Sequence, residues 1–135
     1  MIMRVSVLSD EILCDCYDIV AFFMGKRNYF DFYVQDKINS GRGLMFVDVQ
    51  DNKLNGFVIG RLRGAVAYID DLYVVNDLHR SGIGTGLLNA YQDYAVKTGA
   101  KQLVLMSRNT DQALNFYKKT GFVRLGFSNK MQKML

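Results

Sequence analysis

Residues 72–88 read LYVVNDLHRSGIGTGLL and decide the fold. An apolar run typical of a β-strand gives way to a glycine loop, and the loop gives way to the pattern of a helix. Glycines at positions 82, 84 and 86 let the backbone turn tightly and approach an anion closely. The first N–H groups of the following helix have no partner within it, and they face such an anion with the positive end of the helix dipole. The junction therefore predicts a phosphate-binding site.

The spacing of the glycines separates the known kinds of phosphate loop. A mononucleotide P-loop ends in Gly-Lys-Ser/Thr, whereas Gly84-Thr85-Gly86 contains no lysine. A dinucleotide fingerprint needs G-x-G-x-x-G near the start of a βαβ unit, and this loop reads G-x-G-x-G far from the start of the chain. Both kinds are poor fits.

The loop resembles instead motif A of the GNAT superfamily of acyl-CoA N-acyltransferases, which reads Gln/Arg-x-x-Gly-x-Gly/Ala after a strand ending in Leu-x-Val. The matching residues are His79-Arg80-Ser81-Gly82-Ile83-Gly84, preceded by Leu72-Tyr73-Val74. Histidine replaces the usual Gln or Arg at the first position, with Arg80 beside it. Since such a loop binds mainly through backbone amides, we expect altered phosphate contacts rather than lost binding.

A second segment, residues 109–122, reads NTDQALNFYKKTGF and resembles motif B of the same superfamily, Asn-x-x-Ala-x-x-Phe-Tyr-x-x-x-Gly-Phe. Ala113, the pair Phe116-Tyr117 and the pair Gly121-Phe122 fall in the order of the motif, and Asn109 is taken as its first residue. The two motifs and their connection cover residues 66–123. On this resemblance the chain is identified as a member of the superfamily.

The composition is that of an ordinary folded domain. At 135 residues the chain is long enough for one substantial core, and we expect a single acyl-CoA N-acyltransferase domain over residues 1–135. The net charge of +4, from 17 basic and 13 acidic residues, comes without a basic cluster and argues against nucleic acid as a partner. The longest apolar run, residues 19–24, is too short to span a membrane, and the N-terminus lacks a signal-type apolar core. We therefore expect no membrane partner and a cytoplasmic location.

The hydrophobic periodicity predicts strands and helices of an α/β chain, and their order, β-α-α-β-β-β-α-β-α-β-β, is what the resemblance implies. The resemblance implies a GNAT-like mixed, mostly antiparallel (α+β) sheet of six or seven strands, flanked by about four helices and splayed between the strands at 65–75 and 102–107. The predicted strands are 4–8, 44–49, 54–62, 65–75, 102–106, 122–125 and 127–134. The predicted helices are 11–26, 29–38, one from the glycine loop to Gly99 and one from Asn109 to Gly121.

Two local details of these elements matter for the site. Asn109 is expected to cap the last helix, with Gln112 three residues on. Strict alternation along the strand at 65–75 places Tyr68, Asp70 and Leu72 on one face of the sheet, and Ile69, Asp71 and Tyr73 on the other.

The resemblance implies acetyl-CoA as the co-substrate. In the family the acyl carrier enters the gap between the splayed strands, where backbone N–H groups of the strand pair with the pantetheine arm and the glycine loop holds the pyrophosphate. An N–H near the thioester, that of Leu72 or Tyr73, would stabilise the developing oxyanion. The expected cofactor-binding residues are Leu72, Tyr73, Val74, His79, Arg80, Ser81, Gly82, Ile83, Gly84, Thr85, Gly86, Asn109 and Phe116.

The resemblance also assigns the two catalytic residues, Tyr117 and Asp70. Tyr117 would protonate or stabilise the departing thiolate. The run Ile69-Asp70-Asp71-Leu72-Tyr73-Val74 resembles the Leu-Glu-Asp-Phe-Phe-Val segment of spermidine/spermine-type acetyltransferases, in which the first carboxylate serves the amine. Asp70, one methylene shorter than glutamate, would act directly or through a water. The alternative that the paired aspartates only solvate a strand end stays open.

The sequence offers neither a set of metal ligands nor an evident nucleophile for a covalent acyl-enzyme. Cys14 and Cys16 are separated by one residue and the only histidine is His79, so no set of metal ligands with known spacing can be assembled. The cysteines lie in the N-terminal helix, and no other nucleophile stands out. We expect no metal and direct transfer in a ternary complex.

The identity of the acceptor amine is the property that the sequence indicates least. Asp71 and Phe30 are the candidate substrate-binding residues, and the acidic pair favours a small cationic primary amine such as a polyamine. A protein lysine, an α-amino terminus and an aminoglycoside stay open, as does a non-catalytic CoA-binding sensor domain. Pairing of the C-terminal strands into a homodimer, common in the family, is also left open.

Overall fold

The computed structural model describes residues 1–24, 38–41, 43–75, 78 and 81–135. Seven strands in these residues form one sheet, and three helices pack on it. In chain order the elements are β1 (Ile2–Arg4), α1 (Asp10–Met24), β2 (Gly43–Gln50), β3 (Lys53–Arg63), β4 (Val66–Val74), α2 (Ile83–Lys97), β5 (Gln102–Met106), α3 (Asp111–Lys119), β6 (Val123–Arg124) and β7 (Lys130–Met134).

The sheet is mixed, with the order β1-β2-β3-β4-β5-β7-β6. Only β4 and β5 run parallel, and α2 connects them, as a parallel crossover requires. The other neighbours are antiparallel. The predicted mixed, mostly antiparallel fold is confirmed. The helix predicted at 29–38 lies outside the described residues, but for its last position.

The two faces of the sheet bury separate apolar clusters. One face carries α2 and α3, with Leu87, Leu88 and Tyr91 of α2 packed on Val58 and Ile69 of the strands. The other face carries α1, whose Cys16 packs among the side chains Met45, Val47, Phe57, Ile59 and Tyr73. None of the helices in the described part of the chain is long and apolar enough to cross a bilayer.

A β-bulge interrupts β4 in its middle. Ile59 of β3 pairs with Asp71, but the next residue, Gly60, pairs with Ile69, so Asp70 is the extra residue. Ile69 packs in the α2 face and Tyr73 in the α1 face, although strict alternation places both on one side. The predicted alternation along 65–75 is therefore wrong beyond the bulge. Because Asp71 lies opposite Ile59, which packs in the α1 face, Asp70 and Asp71 turn to the same side and Leu72 returns to the α2 face.

The first strand is shorter and earlier than predicted. Periodicity favours residues 4–8, whereas β1 is Ile2–Arg4. Val5 and Leu8 turn inward instead and are 7% and 8% exposed, packed in the α1 cluster. The Leu8 N–H donates to the Asn39 side-chain oxygen at 3.0 Å, a bond that takes the chain away from the sheet.

The C-terminal strands are also shorter than the predicted 122–125 and 127–134. The cause lies in Arg124, whose guanidinium donates to the carbonyls of Ser128 at 2.8 Å and Phe127 at 3.2 Å. These bonds hold residues 125–129 as a tight turn, which leaves only Val123–Arg124 and Lys130–Met134 as strands.

Candidate active site

The gap between β4 and β5 is the centre of the candidate site. The two strands pair over four residues each, from Val66 with Gln102 to Ile69 with Leu105. Beyond that point β4 continues along β3 to Val74, while β5 continues along β7 to Met106. The two strands thus part after Ile69 and Leu105, as the predicted splay requires.

Main-chain bonding directs Leu72 into this gap. The Val75 N–H donates to the Asn55 carbonyl at 2.8 Å, and Tyr73 lies opposite Phe57 in the same register. Hydrogen-bonded and non-bonded positions alternate along an antiparallel ladder, so the main chain of Tyr73 faces β3 and that of Leu72 faces away from it. Of the two predicted oxyanion donors, the alternation favours the Leu72 N–H.

The start of α2 forms the mouth of the gap. Gly82, the N-cap, has a φ of 90°, a left-handed conformation suited to glycine, and it brings no side chain to cap the helix. The first intrahelical bond, from the Gly86 N–H to the Gly82 carbonyl, is 2.9 Å long. The N–H groups before it have no partner within the helix, and the first turn contains no acidic side chain that would oppose an anion.

Gly84 fixes where this helix start lies. A Cβ on Gly84 would stand 3.4 Å from the Phe116 ring and 3.6 Å from a Val74 methyl. The first turn of α2 therefore packs between the end of β4 and the helix α3. Ser81 and Thr85, also predicted to contact the cofactor, are exposed beside it, and the Ser81 hydroxyl donates to the Leu78 carbonyl.

Tyr117 lies on α3 at the other side of the gap. Its ring stacks edge-on with those of Phe116 and Phe122, at centroid distances of 5.1 and 5.6 Å. Burial raises the pKa of the Tyr117 phenol, and the neighbouring Tyr73 and the charge of Asp71 raise it further, while the Arg108 guanidinium opposes them. The phenol therefore keeps its proton at neutral pH and is available as a hydrogen-bond donor.

Arg108 is a site residue that sequence reasoning missed. It lies two residues beyond the end of β5, and its guanidinium lies 5.5 Å from the centre of the Tyr73 ring. Asp71, Tyr73, Arg108 and Tyr117 thus form one group, built from β4, the end of β5 and α3. The signal for Arg108 was its place immediately before motif B, but only the sheet order brings that place next to β4.

Asp70 belongs to a neighbouring group. Its carboxylate lies 3.5 Å from the Arg61 Nε, with 18% of the Asp70 side chain exposed, and the Arg61 guanidinium stacks on the Tyr68 ring at 4.9 Å. The bulge therefore presents two carboxylates in different surroundings, Asp71 beside Tyr117 and Asp70 beside Arg61.

The predicted cap of the last helix is wrong by one residue. Thr110 is the N-cap of α3, and its hydroxyl accepts from the Ala113 N–H at 3.2 Å. Counting three residues back from Ala113, as motif B requires, also leads to Thr110 rather than Asn109. Asn109 is exposed and precedes the cap. The cofactor contact expected of Asn109 therefore fits Thr110 equally well.

Three predicted site residues, His79, Arg80 and Phe30, lie outside the described residues. In the described ranges no three side chains of His, Cys, Asp or Glu are grouped so that they could hold a metal ion.

The family model described as "Acetyltransferase (GNAT) family" matches residues 10–122. The chain belongs to the GNAT acetyltransferase family. The match spans the glycine loop, the bulged strand and Tyr117, so the family assignment and the geometry of the gap concern the same residues. No curated protein sequence matches this chain.

Solved structures of acetyltransferases share this fold at low sequence identity. The chain is 17% identical to aminoglycoside 6'-acetyltransferase type Ii, with a TM-score of 0.85 over 99% of this chain and 96% of that chain. It is 21% identical to the ribosomal-protein-S18-alanine N-acetyltransferase from Escherichia coli, with a TM-score of 0.79 over 99% and 94%. It is 19% identical to the PaiA N-acetyltransferase from Thermoplasma acidophilum in complex with coenzyme A, with a TM-score of 0.74 over 100% and 99%.

Proposed function

We propose that this GNAT protein is an N-acetyltransferase that moves an acetyl group from acetyl-CoA to the primary amine of a small cationic molecule. The observation that carries the proposal is the gap beyond Ile69 and Leu105. It has the uncapped helix start at Gly82 at its mouth and the proton-bearing phenol of Tyr117 at its side. The helix start at Gly82 can bind an anion, and the Tyr117 phenol can donate a hydrogen bond to a reacting group.

The described residues suit coenzyme A. The N–H groups from Gly82 to Thr85 would hold the pyrophosphate, since each aligned helix start favours an anion by about 0.3 to 1 kcal/mol and its hydrogen bonds add to that. The Leu72 main chain, directed away from β3, would pair with the amide groups of the pantetheine arm. Phe116, against Gly84, would close the gap beside them.

Asp70 is the proposed proton acceptor for the amine. A primary amine with a pKa of about 10.4 is neutral in roughly one molecule in 10³ to 10⁴ at pH 7, so a positioned base increases the reactive fraction. The Arg61 contact at 3.5 Å orients the Asp70 carboxylate at the bulge. Asp71, on the same side of the strand, would hold the cationic amine by charge.

Acetyl-CoA supplies the acetyl thioester, whose C–S bond is replaced by the new C–N bond. The Leu72 N–H would donate to the carbonyl oxygen as negative charge develops there. Tyr117 would donate a hydrogen bond to the departing sulfur. Because burial raises its pKa, we expect the phenol to stabilise the thiolate through this bond more than by giving up its proton.

Direct transfer is favoured by the state of Cys16, the buried one of the two cysteines. Cys16 is completely buried in the α1 cluster, and burial together with the charge of Asp15 raises the pKa of its thiol. A buried, protonated thiol is a poor nucleophile. We therefore propose attack by the amine on the bound thioester, without an acyl-enzyme.

The acceptor class rests on the acidic pair at the bulge. Two carboxylates turned to one side favour a molecule with more than one positive charge, such as a polyamine or an aminoglycoside. Thiol release from acetyl-CoA, measured with a panel of polyamines, lysine, aminoglycosides and peptides, tests this choice. We expect the highest kcat/KM with a small polycation, and a preference for a peptide would reject it in favour of a protein substrate.

The same panel separates an enzyme from a CoA-binding sensor. A sensor would bind CoA in a titration and release no thiol with any amine. The reaction order is tested by varying both substrates: intersecting double-reciprocal lines agree with a ternary complex, and parallel lines would reject direct transfer.

We also propose that the enzyme is located in the cytoplasm and that it forms a homodimer. Val123 of the edge strand β6 is 63% exposed and Phe127 of the adjacent turn is fully exposed, which suits the C-terminal edge for pairing with a second copy. Sedimentation of the parent protein and of Phe127→Ser tests it, because pairing at this edge predicts a shift of the variant toward monomer.

A further inference from the structure

Tyr91 of α2 reaches through the sheet face to the bulged strand. The side chain is completely buried, and its hydroxyl donates to the Tyr68 carbonyl of β4 at 2.5 Å. Tyr68 stands two residues before Asp70, the extra residue of the bulge. One hydrogen bond therefore joins the helix that begins at Gly82 to the strand that carries both acidic residues.

Gly60 makes this contact possible. A Cβ at this position would collide with both the Tyr91 hydroxyl and the Tyr68 carbonyl. Gly60 is also the residue of β3 at which the register with β4 shifts, from Ile59 with Asp71 to Gly60 with Ile69. The hydroxyl of Tyr91 thus occupies the space that a side chain at Gly60 would fill, at the step where the ladder slips.

The bulge decides which way the acidic residues point. A shift of one residue in a strand register turns every side chain beyond it to the other face. With the bulge, Asp70 and Asp71 turn to the α1 side and Leu72 returns to the α2 side. Without the bulge, the side chains of Asp70 and Leu72 would lie on the same face of the sheet. The main-chain N–H and C=O of Leu72 would then face β3 instead of the gap.

We propose that Tyr91 is a positioning residue, whose hydroxyl holds the bulge of β4 in the register that presents Asp70, Asp71 and the Leu72 N–H to the reacting groups. The consequence for catalysis rests on the proposed function, but the structural role does not. The charges near the Tyr91 hydroxyl agree with its position beside the bulge. Burial raises the pKa of Tyr91, and the carboxylate of Asp70 raises it further, while the charge and the backbone of Arg61 lower it.

The test compares Tyr91→Phe with Tyr94→Phe on the same helix. Tyr94 packs near Phe46, with Arg4 over its ring, on the same face but away from the bulge. We expect Tyr91→Phe to lower kcat by about tenfold to a hundredfold, because a small displacement of reacting groups has effects of that size. The Kd for CoA should change much less than kcat, because the helix start at Gly82 still holds the pyrophosphate. Tyr94→Phe should leave both values unchanged.

Amide hydrogen exchange provides a readout that does not depend on activity. In Tyr91→Phe the segment 69–72 should lose protection, while β2 and the rest of α2 keep theirs. A general loss of stability would instead raise exchange in all these segments together. In the parent protein, NMR should detect a slowly exchanging Tyr91 hydroxyl proton with contacts to β4, which keeps the proposal testable if the variant does not fold.

The outcomes separate the two proposals. A parent that binds CoA but acetylates no amine rejects the proposed function, and the exchange and NMR results then decide on Tyr91 alone. An active parent with kcat of Tyr91→Phe within about twofold of its own value, or with unchanged protection of 69–72, overturns the role of Tyr91. Equal losses of kcat in Tyr91→Phe and Tyr94→Phe also overturn it.

Discussion

Gly84 of α2 lies against the Phe116 ring of α3, so closely that a Cβ added at Gly84 would stand 3.4 Å from the ring. The two residues belong to the two sequence motifs, which are separated by more than twenty residues of helix and strand. Their contact places the start of α2 and the side of α3 at the same gap in the sheet. The proposed phosphate-binding loop and the proposed catalytic residue Tyr117 are thereby neighbours at one gap.

Replacing Tyr117 by phenylalanine removes the phenol without removing the ring. The ring contacts with Phe116 and Phe122 remain, so the fold and the Kd for CoA should change little. We expect kcat for acetylation to fall by about a hundredfold, because the departing sulfur loses its hydrogen-bond donor. Steady-state rates of thiol release and a CoA titration measure the two values.

Tyr94→Phe is the matched control for this change. A rate of Tyr117→Phe equal to that of the parent would remove the role of Tyr117 as hydrogen-bond donor to the sulfur. A fall in CoA affinity of the same size as the fall in rate would show a binding role instead.

The two carboxylates of the bulge should respond differently to replacement by asparagine. Asp70→Asn removes the proposed base, so kcat should fall by about a hundredfold with little change in KM for the amine. Asp71→Asn removes the charge that holds a cationic acceptor, so KM for the amine should rise more than kcat falls. Steady-state rates at varied amine concentration give kcat and KM for both variants. A raised KM in Asp70→Asn together with a reduced kcat in Asp71→Asn would exchange the two roles.

Arg108→Gln tests the positive charge at the end of β5. The guanidinium opposes the rise in the pKa of Tyr117, so it also favours negative charge on a neighbouring sulfur. Because Arg108 is exposed, we expect a loss in kcat of at most about tenfold, and a smaller loss at high salt. Arg63→Gln, an exposed arginine at the far end of β3, should have no effect. Equal effects of the two changes would contradict a local role.

Alkaline pH should destabilise the protein through its two buried phenols. The pKa values of Tyr91 and Tyr117 are raised in the folded state from the ordinary value of 10.0, chiefly by burial. The unfolded chain therefore loses these protons first, and the stabilisation that is complete below about pH 10 is lost as pH rises above it. Denaturant unfolding from about pH 9 to pH 11 measures the slope. Tyr91→Phe and Tyr117→Phe should each lower this slope, and slopes equal to that of the parent would contradict the burial of the phenols.

Periodicity and turn residues predicted most of the sheet. The apolar runs on either side of the turn residues 50–53 predicted β2 and β3 within one residue at each end, and the turn between them has positive φ at Asp51 and Asn52, as a tight hairpin requires. Ser9 precedes α1 and caps it, since its hydroxyl accepts from the Ile12 N–H at 3.3 Å. Gly99 and Gly121 follow their helices with φ near 100°. These features depend on neighbours in the sequence.

Two of the features that the sequence did not predict, the bulge and the two site arginines, depend on partners far along the chain. The bulge in β4 lies opposite the register shift at Gly60, where the Tyr91 hydroxyl of another helix is in contact, and no local pattern in residues 65–75 contains either. Arg61 and Arg108 reach the site only because β3 and β5 flank β4 in the sheet. The cap at Thr110 was a local matter, and the spacing to Ala113 alone would have found it.

The central claim is that main-chain donors at the start of α2 bind the pyrophosphate of coenzyme A, and a calorimetric titration of three proteins with CoA tests it most directly. Gly82→Ala and Gly64→Ala are matched changes, since both glycines have positive φ, at 90° and 59°, and a Cβ at either meets no atom within 4 Å. Each change should cost about 1 to 2 kcal/mol of backbone strain. The account predicts that the parent and Gly64→Ala bind CoA with the same affinity and that Gly82→Ala binds at least about tenfold more weakly. No heat of binding with the parent, or equal affinity in all three proteins, would contradict it.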